Sequence, residues 1–152
     1  MNSIKNLISG INRNLISSNS NLLLNYNLIK NYNGNDYMKY ISYSNKTYKK
    51  NLVYRNYDFE LFIICWKNND ASPIHDHSEN GCLFKILEGE LVEYKYDRDL
   101  NFTTKVNLRK NNISYLDNNI GYHKIGNNSY NNSVSLHLYS PPRYIANKYY
   151  ID

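Results

Sequence analysis

Ser133-Val134-Ser135-Leu136-His137-Leu138-Tyr139 alternates polar and apolar residues without a break. Successive side chains of an extended chain point to opposite faces. Val134, Leu136 and Leu138 therefore share an apolar face, and Ser135, His137 and Tyr139 share a polar one. The same period of two runs upstream, and strands are expected at 52–54, 59–66, 82–87, 90–96, 102–108, 113–116, 121–125 and 133–139. Glu88-Gly89 reads as a tight turn, and 97–101 and 126–132 read as polar connectors. Many short strands with no helical pattern between them predict a mainly β chain, an antiparallel sandwich or barrel. The apolar face of 133–139 belongs against a core. Its polar row faces either the barrel interior or water, and this strand alone does not decide between them.

Before residue 48 the period is helical. Ile4, Leu7, Ile8, Ile11 and Leu15 form one stripe; Leu22, Leu23, Tyr26, Leu28 and Ile29 a second; Tyr37, Met38 and Ile41 a third. Breaks at 17–20 and at Asn33-Gly34-Asn35-Asp36 carry the Ser and Asn residues that suit helix caps. The expected organisation is a single domain over 1–152, with a small helical layer at about 1–45 and a β-barrel at about 48–142.

At 152 residues the chain is long enough to bury a sizeable core. No run of 18 apolar residues is present, and 1–16 is broken by Lys5, Asn6, Asn12, Arg13 and Asn14, unlike a signal peptide. A soluble, cytoplasmic monomer without a membrane partner is expected. The formal charge is +5, and Lys46, Lys49, Lys50 and Arg55 cluster with Tyr43, Tyr48 and Tyr54 interleaved. The remaining charge is scattered and no nucleic-acid motif is present, so nucleic acid is not expected as a partner. Asn and Tyr are over-used, a bias of the kind A/T-rich coding produces, which weakens propensity arguments and makes sequons such as Asn45 and Asn101 chance events. Of the two cysteines, Cys65 lies in the apolar run 61–66 and reads as a buried small hydrophobe; a disulfide to Cys82 is not expected in a reducing compartment.

The chemistry concentrates in four histidines. His75 and His77, in Ser72-Pro73-Ile74-His75-Asp76-His77, lie two apart and project to one face of an extended segment, with Asp76 on the other. His123 follows in Gly121-x-His123, with Asn127 four residues on. His75-x-His77 with Cys82 and Gly89, and Gly121-x-His123 with Asn127, resemble the two signature motifs of the cupins, barrels that bind a metal at their mouth. Where the usual cupin has a Glu ligand this chain has Cys82, leaving His75, His77 and His123 as the expected ligands. Three imidazoles leave coordination positions open, the mark of a catalytic site, but imidazole suits Zn, Cu, Fe and Ni alike.

These motifs, together with Val134-Ser135-Leu136-His137-Leu138-Tyr139-Ser140-Pro141-Pro142, closely resemble the cysteine dioxygenase family over about 48–142. The resemblance implies a cupin fold, one Fe(II) per chain on His75, His77 and His123, and oxidation of L-cysteine by O2 to cysteine sulfinic acid. It places Tyr139, His137, Cys82 and Ser135 in catalytic roles, with a possible Cys82–Tyr139 thioether and with Ser135 and His137 bonded toward Tyr139. Tyr48-Lys49-Lys50-Asn51-Leu52-Val53 resembles the family's Tyr-x-Arg-Asn-Leu-Val segment, which puts Tyr48 in the pocket and Lys50 on the substrate carboxylate.

Two departures stand out. Lys50 offers a flexible point charge where the family has a planar Arg fork, and Arg55 is the alternative cation. The chain stops soon after Tyr144, so a more open pocket is expected, and a position often Cys near the family's pocket falls around Ala146. The Lys keeps a second enzyme reading open, a dioxygenase for 3-mercaptopropionate or cysteamine. A non-catalytic metal-binding sensor is the third, and the complete set of His, Cys82 and Tyr139 speaks against it.

Overall fold

The computed structural model describes residues 2–17 and 21–151. Helix α1 (Ile4–Ser17) is followed by a 3-10 turn (Leu22–Asn25) that runs into α2 (Tyr26–Asn31), and by a second 3-10 turn (Asp36–Tyr40). Among the described residues ten strands follow: β1 (Lys49–Arg55), β2 (Glu60–Trp66), β3 (Ile74–His75), β4 (Cys82–Glu88), β5 (Glu90–Tyr96), β6 (Phe102–Arg109), β7 (Ile113–Leu116), β8 (Tyr122–Gly126), β9 (Ser133–Tyr139) and β10 (Lys148–Tyr149). They form two five-stranded sheets, ordered β1-β2-β9-β4-β7 and β10-β3-β8-β5-β6, with every pairing antiparallel.

Two apolar clusters explain the strand patterns. One lies between the sheets and includes Phe62, Ile64 and Trp66 of β2, Phe84 and Ile86 of β4, Leu91 of β5 and Ile125 of β8. The other lies between the first sheet and the helices, where Leu7, Ile11 and Ile29 meet Leu61, Ile63, Leu83, Val134, Leu136 and Leu138. Strand β2 is thus buried on both faces, which is why it reads as a nearly continuous apolar run. Strand β9 is also enclosed, and its polar row of Ser135, His137 and Tyr139 faces inward, settling the choice left open by its alternation.

The first two helical stripes correspond to α1 and to the turn leading into α2, while the third is a single 3-10 turn. Leu23 and Met38 of those stripes point to water. Of the break expected at 17–20, residues 18–20 lie outside the described residues. Among the described residues no helix is long and apolar enough to cross a membrane.

One lysine crosses the inner layer. Lys85 on β4 is buried among apolar neighbours and donates from Nζ to the carbonyls of Lys30 (2.9 Å) and Tyr32 (2.7 Å) at the end of α2. It satisfies carbonyls that the helix cannot pair itself. Replacing it by Met keeps the stem and removes both bonds. Lys85→Met should cost about 2 kcal/mol in denaturant unfolding; an unchanged midpoint would mean the carbonyls find water.

The chain after Pro142 returns across the open end of the sandwich, where β10 pairs with β3. Asp76 holds it there by accepting from Asn147 N (2.7 Å) and Asn147 Nδ2 (2.7 Å). The expected open mouth is therefore narrowed by Tyr144, Ala146 and Lys148, which line one wall of the cavity beneath.

Candidate metal centre and cavity

The short β3–β8 pairing sets His75 directly opposite His123. His77 lies past the end of β3, and Asn118 in the β7–β8 loop fixes its backbone: Asn118 Oδ1 accepts from His77 N (2.8 Å), and Asn118 Nδ2 donates to His77 O (2.7 Å). The three imidazoles converge, with ligand-capable nitrogens all within 4.8 Å of one another. Nε2 of His77 and Nε2 of His123 stand 3.0 Å apart. Two imidazoles bound at right angles to one ion, each about 2.1 Å from it, would be about 3 Å apart.

The outer nitrogens of two rings are taken. His75 Nδ1 donates to Pro73 O at 3.0 Å, and His123 Nδ1 donates to Glu93 Oε1 at 2.7 Å, so Nε2 of each is left facing the centre. His77 Nδ1 is buried with no partner among the described residues. Burial lowers the pKa of all three rings, and for His77 and His123 the neighbouring imidazoles lower it further. They are neutral near pH 7, the form that binds metal. Neutral imidazoles pointing nitrogens at one another in a buried site need a shared proton or a cation, and this donor set fits a divalent ion.

Beside the triad lies the polar row of β9. Trp66 Nε1 donates to Ser135 Oγ (2.9 Å), Ser135 Oγ lies 2.8 Å from His137 Nε2, and His137 Nδ1 lies 3.2 Å from the Tyr139 hydroxyl. Phe84 stacks on the His137 ring at 4.7 Å and fixes its plane. Cys82 sits opposite Tyr139 in the β4–β9 register, with Sγ 3.7 Å from His137 Nδ1. Burial pushes the Cys82 thiol up to about 12, so it stays protonated, and it is not part of the ligand cluster. Tyr139 is likewise raised, by burial first and then by Cys82.

A cavity of about 90 Å³ joins the two groups, lined by Tyr48, Lys50, His75, His77, His137 and Tyr139 among others. An engineered apolar cavity of about 150 Å³ takes benzene, so this space suits a small thiol and not a peptide. Tyr48 stacks on Trp66 with centroids 4.6 Å apart. Lys50 stands on the rim with Nζ 4.6 Å from the Phe62 ring centre and 4.5 Å from that of Tyr139. Protein around the ammonium lowers its pKa by desolvation. Arg55, the alternative cation, is bound to Glu60 at 2.7 Å. Ala146 lines the cavity, and Cys65 is buried in the helix-side cluster.

Three residues of the site went unrecognised in the sequence. Glu93 looks like a solvent-facing charge, yet it shares the inward face of β5 with Leu91 and is fully buried. That shared face, two residues from a Leu in an alternating strand, was the available signal. Trp66 was absorbed into the apolar run of β2, and Asn118 into a polar loop in an Asn-rich chain. Neither stands out without its partner.

The architecture and the three-His pocket define a cupin-type, double-stranded β-helix protein. A protein with a double-stranded β-helix domain from Klebsiella pneumoniae superposes with a TM-score of 0.63 at 12% identity, covering 73% of this chain and 86% of that one. A cupin superfamily protein from Desulfitobacterium hafniense gives 0.54 at 13% identity, covering 66% and 83%. At such identities the likeness speaks for the fold alone. The family model for cysteine dioxygenase type I matches residues 4–150, and the chain belongs to that family. It is 38% identical over 127 residues to cysteine dioxygenase type 1 of Danio rerio, covering 76% of this chain and 63% of the relative. Against the Homo sapiens protein it is 37% identical over 115 residues, covering 70% and 58%. The chain thus matches less than two thirds of the length of these relatives.

Proposed function

We propose that the chain is a non-haem Fe(II) cysteine dioxygenase that converts L-cysteine and O2 to cysteine sulfinic acid. The observation that carries this reading is the cavity: it is lined by His75 and His77 of the three convergent imidazoles, by the Lys50 side chain and by the hydrogen-bonded Tyr139. His75, His77 and His123 would hold the iron, which would acidify the thiol and activate O2. Lys50 pairs with the substrate carboxylate and decides which end of the amino acid reaches the histidines. Tyr139 presents its hydroxyl to the reacting sulfur, and Ser135, His137 and Trp66 hold it from behind. The reaction balances as a four-electron oxidation of sulfur, with both atoms of O2 retained in the sulfinate.

Cys82 contributes position. Lying opposite Tyr139, it would join the tyrosine ring through a thioether in a two-electron oxidation, with O2 accepting the two hydrogens lost, and this would fix the ring beside the substrate. Both cysteines are free thiols, as suits a reducing, cytoplasmic setting. The deciding experiment is product identification by mass spectrometry after aerobic incubation of the Fe(II)-loaded protein with L-cysteine, alongside O2 uptake. Sulfinate equimolar with O2 is expected; no product from a fully loaded protein would sink the reading.

The point charge of Lys50, seated on two aromatic rings, favours a second substrate reading, a small thiol with a less demanding anchor. Lys50→Ala should raise KM for L-cysteine and 3-mercaptopropionate about tenfold, by loss of a charge-assisted bond, and leave cysteamine unaffected. Equal effects on all three thiols would remove Lys50 from carboxylate binding.

A further inference from the structure

The three imidazoles carry no charge of their own, yet a divalent ion among them would bring two positive charges into a buried site. Three buried acids lie among the described residues: Glu60, Asp76 and Glu93. Glu60 is bound to Arg55, and Asp76 turns its oxygens toward Asn147 and Tyr149. Glu93 alone bonds to an imidazole of the cluster, with Oε1 2.7 Å from His123 Nδ1. Its other oxygen accepts from Ser114 Oγ at 2.6 Å and lies 3.5 Å from Lys95 Nζ. Ser114 Oγ–H, the Lys95 ammonium and His123 Nδ1–H all point hydrogens at this carboxylate, and the ammonium favours its charged form.

We infer that Glu93 is the positioning residue of the metal centre: it holds the proton of His123 on Nδ1, aims Nε2 at the ion, and supplies the negative charge that the three neutral ligands lack. This rests on the reading that His75, His77 and His123 hold a metal. Two consequences follow from the geometry. With Nδ1–H bound to a carboxylate, the ring cannot adopt the tautomer that would protonate its ligating nitrogen. The shared proton also gives the imidazole partial anionic character, which strengthens its bond to a divalent ion and favours the ferric state over the ferrous one. Lys95 and Ser114 restrain this effect by drawing on the same carboxylate. His75 donates to a neutral carbonyl and His77 to no described residue, so the three ligands are unequal and His123 is the strongest donor.

The test separates charge from orientation. Glu93→Gln keeps an oxygen that accepts from Nδ1–H and loses the charge; Glu93→Ala loses both. Affinity is measured by competition titration with Co(II) and with Fe(II), and the iron midpoint potential by redox titration. Glu93→Gln should weaken metal binding about 10- to 100-fold and move the potential upward, and Glu93→Ala should weaken binding further. Unchanged affinity and potential in Glu93→Gln overturns the proposal, and so does a loss matched only by lower stability of the metal-free protein. Should neither variant fold, nitrogen-15 NMR of histidine-labelled wild-type protein loaded with Zn(II) decides: a proton on His123 Nδ1, shifted strongly downfield, is required, and its absence refutes the proposal. Because no thiol enters these measurements, a protein that obeys them but does not oxidise cysteine retains the role of Glu93 and loses the proposed activity. A protein that binds no divalent metal loses both.

Discussion

His77→Ala is expected to abolish stoichiometric metal binding and all thiol oxidation while leaving the metal-free fold almost intact. The reasoning depends on how His77 is held. Its ring nitrogens make no described bond other than the approach to His123 Nε2, whereas its backbone is fixed in both directions by Asn118. Removing the ring therefore strips one of the three imidazoles and releases only the contact to His123 Nε2, and water can enter the space from the adjoining cavity. Loss of His123 would be a poorer experiment, because the buried Glu93 Oε1 would lose its partner. The metal-free melting temperature of His77→Ala should change by less than about 4 °C, near 1 kcal/mol for a chain of this size. Elemental analysis after iron loading should find no bound metal. Stoichiometric iron in this variant would show that two histidines suffice and would undo the three-ligand site.

Gly121→Ala is expected to damage both stability and the site. Gly121 has φ +140°, a conformation L side chains rarely adopt, and a Cβ there would run into the Tyr96 carbonyl and lie 3.3 Å from Asp97 Cα. The obstacle is backbone of β5 and its following turn, which cannot swing aside as a side chain would. The residue also ends the turn anchored on Asp117 O at 3.1 Å and feeds β8, where His123 sits two residues on. Strain and clash together should cost about 3 kcal/mol in denaturant unfolding. The surviving folded fraction should bind metal more weakly, since any shift of β8 is passed to His123. A midpoint within about 0.5 kcal/mol of wild type would mean that the turn relaxes without moving the strand.

The fold was legible because its strands are amphipathic in a simple way. Val134, Leu136 and Leu138 needed a core on one side, and the His75-x-His77 and Gly121-x-His123 spacings marked out the three histidines that the fold brings together. The supporting groups were hidden for a physical reason. A carboxylate such as Glu93 is usually solvated, and only the pairing of β5 with β8 in the second sheet brings it behind His123. The two-residue strands β3 and β10 lack the length to show a period, so the return of the chain over the cavity had no local signature. Lys50 was expected near the substrate from its Asn51-Leu52-Val53 context; it lines the cavity, and Arg55 pairs with Glu60.

Strands β2 and β9 lie side by side, and neither has a face toward water. The compositional drift that fills this chain with Asn and Lys stops there: Glu-Leu-Phe-Ile-Ile-Cys-Trp and Ser-Val-Ser-Leu-His-Leu-Tyr contain neither. A side chain on β9 either fills the seam under the helices or belongs to the inward row bonded to Glu90, Trp66 and the cavity wall, so the strand has no position where a substitution goes unnoticed. Elsewhere in the chain stability and chemistry can be altered separately. Along these seven residues a change meant for one is felt by the other, and a saturation scan should find its lowest tolerance there.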